Sequence, residues 1–203
     1  MTSKNLRTAL GPRENYGGMI MDPMSETLPL SNALHGVALL SHLGVIQVEG
    51  EDAAKFIHGQ LTHDFSLLGL DTARLAAFCS AKGRVQASFI GFKRPQGELL
   101  LVCHRDLLAP TLKRLSMFVM RAKAKLSDAT DQFQVYGLTG IATKNIAVDT
   151  GEIWAKADFG AQSIVNLYPA DGTPQAAACA AGGSAAPRRR YAGLGHLVVE
   201  RGP

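Results

Sequence analysis

The sequence predicts an α+β fold in which a β-α-β-β-α-β unit is followed by a second, smaller β-rich lobe. Apolar runs of strand length and two segments with helical spacing alternate in the first part of the chain, which predicts the first unit. Strand-like runs after residue 128 predict the second lobe. At 203 residues and 46% apolar content, the chain can form one large domain or two small ones.

The first strand, helix and hairpin follow from local patterns. Residues 44–48 are apolar and β-branched, which predicts a strand. Glu51-Asp52 offers an N-cap for a short helix over residues 53–58, which Gly59 ends. The runs 74–80 and 84–93 have strand character, and Ala81-Lys82-Gly83 between them predicts a tight hairpin turn.

The rest of the first unit contains a second helix and an edge strand. A turn at residues 95–98 leads into the apolar run 99–103, and residues 105–117 have apolar side chains at helical spacing. Because Pro110 interrupts this segment, we expect the regular helix to begin near Ala109 after a looser turn. Residues 121–126 alternate in polarity and predict an edge strand. This order through residue 126 is the ferredoxin-like plan.

Domain boundaries follow from composition. Residues 1–30 lack periodicity and predict a disordered leader, and residues 32–41 predict a helical turn or an entry strand. We therefore assign residues 31–128 to a ferredoxin-like domain and residues 129–203 to a second β-rich lobe.

Within the second lobe, residues 132–138 and 163–167 have strand character, and a turn is predicted at residues 169–174. The Ala-rich stretch 175–187 predicts a surface helix that ends at Gly182-Gly183, with a linker as the alternative.

Composition narrows the function classes. No apolar run approaches the roughly 20 residues of a membrane span, and the N-terminus lacks a signal pattern, which predicts a soluble, unsecreted, cytoplasmic protein. Cys79, Cys103 and Cys179 are widely spaced, which argues against a disulfide framework and a zinc site. His58 and His63 lack ligand spacing, so we expect no metal site.

Basic residues concentrate in two places, residues 113–125 and Arg188–Arg190, and the net charge is +4. A solvated basic face is the simpler interpretation, because charge sign by itself speaks to solubility. Binding of nucleic acid or another polyanion is the alternative.

Two polar, glycine-bearing turns, residues 59–64 and 79–85, interrupt segments that otherwise have the composition of a core. The first turn lies in the segment LGVIQVEGEDAAKFIHGQLTHDF and the second in AAFCSAKGRV. Two further segments, LKRLSMFVMRAKAKLSD and FQVYGLTG, follow later in the chain. In this order the segments resemble the YgfZ branch of the folate-binding YgfZ/GcvT family, over roughly residues 39–140. The later LVVERGP is similar to the family segment that ends in Ala-Gly-Ile-Pro.

The resemblance implies a GcvT/YgfZ-like N-terminal region whose first domain binds tetrahydrofolate or a folate derivative. It also implies an accessory role in iron–sulfur cluster assembly or repair, with iron–sulfur enzymes as clients and tRNA modification affected only indirectly. The implied location is the cytoplasm, or the mitochondrial matrix in a eukaryote.

Two departures from the family pattern matter. The YgfZ branch carries a later Lys-Gly-Cys-Tyr-x-Gly-Gln-Glu motif, and the sequence reaches Pro203 without it, so we expect a truncated or degenerate relative. Aminomethyltransferases carry a Gly-Gly-x-x-Asp-Asp pattern after the same hairpin, where this chain has Ala87 and Ser88 in place of the acids. The missing carboxylates argue against aminomethyl transfer.

Six residues make up the predicted folate site. They are Gln60, Thr62, Asp64, Lys82, Gly83 and Arg84. The first three would meet the polar edge of the pterin, and the two cations would meet the glutamate tail. In the alternative interpretation, Thr62 and Asp64 cap the next turn and Gln60 bonds the backbone, while the two cations are solvated. Cys79 and Cys103 are interpreted as small core residues, and no catalytic residue is predicted.

Overall fold

The structure is a computed structural model of the chain. It describes residues 36–140, 143, 152–170 and 173–181. The elements in chain order are β1 (Gly36–Leu39), β2 (Leu43–Glu49), α1 (Ala53–His58), β3 (Ala73–Cys79), β4 (Val85–Lys93), β5 (Leu99–His104), α2 (Arg105–Ser116), β6 (Lys125–Asp128), β7 (Phe133–Thr139), β8 (Lys156–Phe159), β9 (Gln162–Ala170) and β10 (Thr173–Ala181). The predicted leader over residues 1–30 lies outside the described residues.

The fold is mostly β-sheet and consists of two antiparallel, five-stranded sheets. The central sheet has the order β3-β4-β5-β2-β6, and the second sheet has the order β1-β7-β10-β9-β8. Because β5 is a full strand between β4 and β2, the central unit runs β-α-β-β-β-α-β rather than β-α-β-β-α-β. The α+β class is therefore seen, and the ferredoxin-like arrangement is not confirmed.

The central sheet is covered on both faces. Along β5, Leu99, Leu101 and Cys103 enter the core beneath α1 and α2, which we call the helical core. Leu100 and Val102 enter the core between the two sheets. Successive side chains of a strand point to opposite faces, so this alternation buries every apolar residue of the strand. Double burial explains why β5 reads as a continuous apolar run instead of an alternating one.

Helix α1 has the bounds of its sequence pattern and Asp52 at its N-cap position, but the expected side-chain cap is not formed. The Asp52 side chain makes no capping bond to α1. One of its carboxylate oxygens instead accepts a hydrogen bond of 2.8 Å from the backbone N–H of Lys123, far along the chain. Sequence reasoning missed this contact because it depends on a tertiary neighbour.

Helix α2 begins at Arg105, earlier than the expected start near Ala109, and Pro110 lies inside it. The ring nitrogen Nδ1 of His104 accepts from the backbone N–H of Asp106 at 3.3 Å, which supplies a cap at the N-terminus of the helix, ahead of the proline. Pro110 therefore removes one N–H without ending the helix. The edge strand predicted at residues 121–126 is shifted, because β6 spans Lys125–Asp128.

The Ala-rich stretch is a strand, so the predicted surface helix is wrong over residues 175–181. Strand β10 lies inside the second sheet, between β7 and β9. Its residues Ala176, Ala177, Ala178 and Cys179 are buried. The flanking strands β7 and β9 form hydrogen bonds with the backbone N–H and C=O groups of β10. This pairing outweighs the helix propensity of alanine. Strand β9 likewise continues to Ala170 through part of the predicted turn.

The entry segment forms a strand, β1, which pairs with β7 and so belongs to the second sheet. The second sheet thus combines residues from both predicted domains. The predicted division at residue 128 stays a prediction.

A buried arginine joins the two sheets. Arg94 follows β4, and its guanidinium donates to a carboxylate oxygen of Glu98 at 2.7 Å and to the carbonyl oxygen of Ala161 at 3.2 Å. It also lies 5.4 Å from the ring centroid of Phe133. A buried charge is tolerated when it is paired, so Arg94 ties the β8–β9 hairpin to the central sheet.

A buried lysine makes a second connection. The ammonium of Lys156 donates to Asp158 and lies 5.9 Å from the ring centroid of Phe92 in the central sheet. The Ser163 hydroxyl donates to the other carboxylate oxygen of Asp158 at 2.6 Å. These contacts satisfy the buried polar atoms of the hairpin and favour one docking position of the sheets.

We expect Leu101→Ala to lower the free energy of unfolding by about 2–5 kcal/mol, because Leu101 is fully buried in the helical core and its truncation leaves a cavity. Urea unfolding followed by the fluorescence of Trp154 measures the change. The control is Leu75→Ala, whose side chain is 56% exposed and should cost less than about 1 kcal/mol. Equal losses in both variants would contradict the double burial of β5.

Candidate functional site

The hairpin between β3 and β4 presents two cations at its tip. The backbone N–H of Ser80 donates to the carbonyl oxygen of Arg84 at 2.8 Å, and that of Gly83 donates to Ser80 at 2.8 Å. Gly83 has φ +74°, a conformation that favours glycine. The side chains of Lys82 and Arg84 are exposed, and neither makes an ion pair within the part of the chain that the structure describes.

The segment that contains Gln60 and Thr62 lies along the outer edge of β3. Leu61 forms an antiparallel bridge with Phe78. The backbone N–H of Thr62 donates to the carbonyl oxygen of Ala77 at 3.0 Å, and the Thr62 hydroxyl oxygen accepts from the Ala77 N–H at 2.9 Å. The antiparallel direction places Gln60 toward the hairpin tip and the later residues away from it.

Asp64 holds the loop that follows this segment. Its carboxylate oxygen Oδ1 accepts from the backbone N–H groups of Ser66 at 2.8 Å and Leu67 at 3.3 Å. The same oxygen lies 3.2 Å from Nδ1 of His58. This is the turn-capping role that the sequence left open for Asp64. Thr62, by contrast, bonds a strand instead of capping the turn.

The electrostatics of this loop favour a charged carboxylate. Partial burial by itself would raise the pKa of Asp64, but the two backbone N–H groups and the neighbouring His58 and His63 outweigh it, so the pKa is lowered. The pKa of His63 is also lowered, first by partial burial and then by the positive charge of Arg74. Asp64 opposes that shift. His63 therefore favours its neutral form.

The structure thus separates Asp64 from the other five predicted residues. Gln60, Lys82, Gly83 and Arg84 lie toward the hairpin tip. Thr62 lies beside Ala77 of β3, further from the tip. Asp64 lies further away and is committed to its own loop. Their joint role in binding a ligand stays a prediction.

Sequence reasoning missed Arg74 as a neighbour of this loop. Arg74 lies on β3, and its charge reaches His63 from the opposite strand of the bridge. This contact can be predicted only if the register of the Leu61–Phe78 bridge is known, and the sequence by itself does not give that register. Among the described residues, no group of three or more His, Cys, Asp or Glu side chains could hold a metal ion.

The buried cysteines are poor nucleophiles. Burial raises the pKa of Cys103 to about 12, with a further contribution from Asp128. Burial also raises the pKa of Cys179 to about 12, although the charge of Arg94 opposes it. Both thiols therefore stay protonated at neutral pH, as expected of core residues. Cys79 is half-buried, and all three cysteines are free.

Comparisons with known proteins place this geometry in context. No protein-family model matches the chain. The chain is 29% identical over 125 residues to the tRNA-modifying protein YgfZ of Photorhabdus laumondii, covering 61% of this chain and 36% of that protein. It is 29% identical over 106 residues to a mitochondrial iron-sulfur cluster assembly factor IBA57 homolog of Cryptococcus neoformans, covering 51% of this chain and 28% of the relative.

Aminomethyltransferases are also similar. The enzyme of Clostridium botulinum strain Okra is 26% identical over 159 residues, covering 70% of this chain and 43% of the enzyme. The crystal structure of aminomethyltransferase T from Bartonella henselae aligns with a TM-score of 0.61 at 15% identity, over 72% of this chain and 42% of that structure. The chain therefore spans less than half the length of each of these proteins.

The two-sheet architecture and the structural alignment define an α+β protein with the fold of the aminomethyltransferase region that it overlays. The chain is also similar in sequence to proteins named YgfZ and IBA57. These similarities support the resemblance of the chain to the YgfZ/GcvT-like family.

We expect wild-type protein to be more stable than the Asp64→Asn variant near about pH 5, and this difference to disappear by about pH 2. A carboxyl whose pKa is lowered by folding stabilises the protein above its ordinary pKa, and this contribution is lost as the pH falls through the folded value. Urea unfolding at several pH values measures the difference.

The control for this prediction is Asp131→Asn, at an exposed carboxylate. Its difference from wild type should stay small and change little with pH. A difference at Asp64 that persists at the lowest pH would show that charge is not its cause.

Proposed function

We propose that this chain is a tetrahydrofolate-binding accessory protein in the assembly or repair of iron–sulfur clusters. The observation that carries the proposal is the hairpin tip, where two cations without an ion pair among the described residues lie beside the edge segment that contains Gln60. Relatives named YgfZ and IBA57 support the accessory role.

The chemistry of the hairpin suits a folate tail. Lys82 and Arg84 are exposed and unpaired within the described residues, so a glutamate carboxylate would not have to displace a protein partner. Charge-assisted hydrogen bonds of this kind are the strong ones, and arginine can hold a carboxylate with two of them. Gly83 lets a ligand approach the turn backbone without meeting a side chain.

The pterin ring would lie toward the edge of β3. Gln60 offers both a donor and an acceptor, and Thr62 keeps a hydroxyl proton although its oxygen already accepts from Ala77. Asp64 would contribute through its loop instead of touching the ring, because its Oδ1 already accepts two backbone hydrogen bonds.

The family relationship also suggests the setting in which this chain acts. Iron–sulfur enzymes would be its clients, and an effect on tRNA modification would be indirect, through those enzymes. We propose the cytoplasm as its location, or the mitochondrial matrix if the source is a eukaryote. Among the described residues, no helix is long and apolar enough to cross a membrane.

Aminomethyl transfer is the second candidate function, favoured by the similarity to aminomethyltransferases. The hairpin disfavours it. Ala87 is 2% exposed in the helical core, where a carboxylate would be buried, and Ser88 is exposed on the other face of β4. Neither residue supplies a carboxylate that could take a proton or stabilise a cationic group.

We expect Lys82→Ala and Arg84→Ala each to weaken tetrahydrofolate binding about tenfold or more, because each removes a charge-assisted contact to a carboxylate. Calorimetric titration of the 203-residue chain measures the dissociation constants. Lys113→Ala, which removes an exposed lysine from α2, is the matched control and should bind as wild type. Unchanged binding in both hairpin variants would place the site elsewhere, and no binding by the folded wild type would contradict folate binding by this chain.

We expect the wild-type chain not to transfer an aminomethyl group to tetrahydrofolate. Formation of methylenetetrahydrofolate from an aminomethyl-lipoyl donor is the measurement, with a protein-free reaction as the control. Turnover above that background would revive the transferase function despite Ala87 and Ser88.

A further inference from the structure

The surface formed by the end of α2 and the residues after it combines apolar side chains with positive charge. Between residues 107 and 127 the sequence contains five basic residues and no acidic one. We define the basic-apolar surface by six residues of this segment. They are Lys113, Arg114, Met117, Phe118, Met120 and Arg121.

The apolar members of this surface are unusually exposed. Met120 is 86% exposed, Met117 64% and Phe118 48%. The guanidinium carbon of Arg114 lies 6.0 Å from the ring centroid of Phe118, so a cation and an aromatic face are presented together. Clustered exposed apolar side chains with a polar rim mark interaction sites on soluble proteins.

This exposure occurs on an anchored backbone. Val119 and Ala122 pack against the helical core, which turns their neighbours outward. Both backbone groups of Lys123 bond to Asp52, with its N–H 2.8 Å from the carboxylate and its carbonyl oxygen 3.2 Å from the Asp52 N–H. Gly50 has φ +113°, and a Cβ there would come within 2.1 Å of the Lys123 carbonyl oxygen. The segment is therefore held against the loop that precedes α1.

The outer face of α2 extends the surface. Leu107, Pro110 and Arg114 are exposed and lie three to four residues apart, on one side of the helix. Phe118 follows at the same spacing just after the helix ends. A partner would therefore meet one continuous strip of apolar and cationic side chains.

We propose that the basic-apolar surface docks an acidic segment of a partner protein, which inserts apolar side chains between its carboxylates. Lys113, Arg114 and Arg121 make no ion pair within the described residues, so carboxylates would pair with free cations. The flexible thioethers of Met117 and Met120 adapt to apolar side chains of different shapes.

Charge favours this occupant over two others. Residues 182–203 of the chain carry four arginines and one glutamate, so they have the same sign of charge as the surface. A second copy of the chain would bring the same basic residues to the contact. Like charges placed opposite one another disfavour both arrangements.

The proposal is independent of folate binding. The surface lies next to β6, at one edge of the central sheet, whereas the hairpin tip belongs to β3 and β4 at the other edge. Loss of function at one edge therefore leaves the other edge available as an internal control.

Selection of displayed random peptides on the full chain tests the proposal. We expect enriched peptides to be net acidic and to contain at least two apolar residues. A synthetic copy of the most enriched peptide should bind about tenfold more weakly to Phe118→Ser/Met120→Ser and to Arg114→Glu/Arg121→Glu. The matched control is Leu67→Ser/Leu75→Ser, which removes two leucines elsewhere that are 86% and 56% exposed and should leave binding unchanged.

Unfolding midpoints and tetrahydrofolate binding of each variant show whether it keeps its fold. Enrichment of no peptide, of basic or uncharged peptides, or of peptides that bind both surface variants as wild type would overturn the proposal. Polyuridylate and phosphatidylcholine vesicles containing phosphatidylserine are the competing probes. Binding of either that depends on Phe118 and Met120, without acidic peptide enrichment, would assign the surface to nucleic acid or membrane instead.

Discussion

The rest of the structure depends on the burial of β5 on both faces. Leu101 enters the core under the helices and Leu100 the core between the sheets, so a shift of one residue would exchange the two sets. The pairing of β5 with β4 and β2 is thereby fixed. Strand β4 carries the hairpin, and β2 leads into α1 and pairs with β6. One doubly buried strand therefore positions both edges of the central sheet.

Buried charges determine how the second sheet docks. Its central strand β10 has mostly alanine side chains, which are small and give little shape to the contact. Arg94 and Lys156 provide directional contacts there, through a carboxylate, a carbonyl oxygen and two aromatic rings. The ion pairs of Arg94 with Glu98 and of Lys156 with Asp158 are local and neutralise the two buried charges. The contacts of Arg94 with Ala161 and Phe133, and of Lys156 with Phe92, cross between the sheets and disfavour alternative arrangements.

The two proposed surfaces use opposite edges of the central sheet and different chemistry. At the hairpin, polar groups and two cations suit a small ligand with carboxylates. Beside β6, exposed methionines and an aromatic ring among cations suit a polypeptide. An accessory protein that binds a small molecule while it contacts another protein needs this separation, because neither occupant then blocks the other.

The sequence by itself determined the local elements. Hydrophobic periodicity and Gly83 were sufficient to predict β2, α1 and the hairpin, because the local conformational preference of these segments agrees with their place in the tertiary fold. Only the tertiary structure decided that the Ala-rich run is a strand, that Asp64 holds its own loop, and that Arg94 and Lys156 are buried. The strand depends on backbone groups of β7, and the two buried cations depend on Ala161, Phe133 and Phe92, all of which are distant in sequence. Asp64 bonds nearby backbone groups, and the structure decided between the two roles that the sequence left open for it. Local composition carries no record of those partners, so their pairing energy overrides what the segment would favour alone.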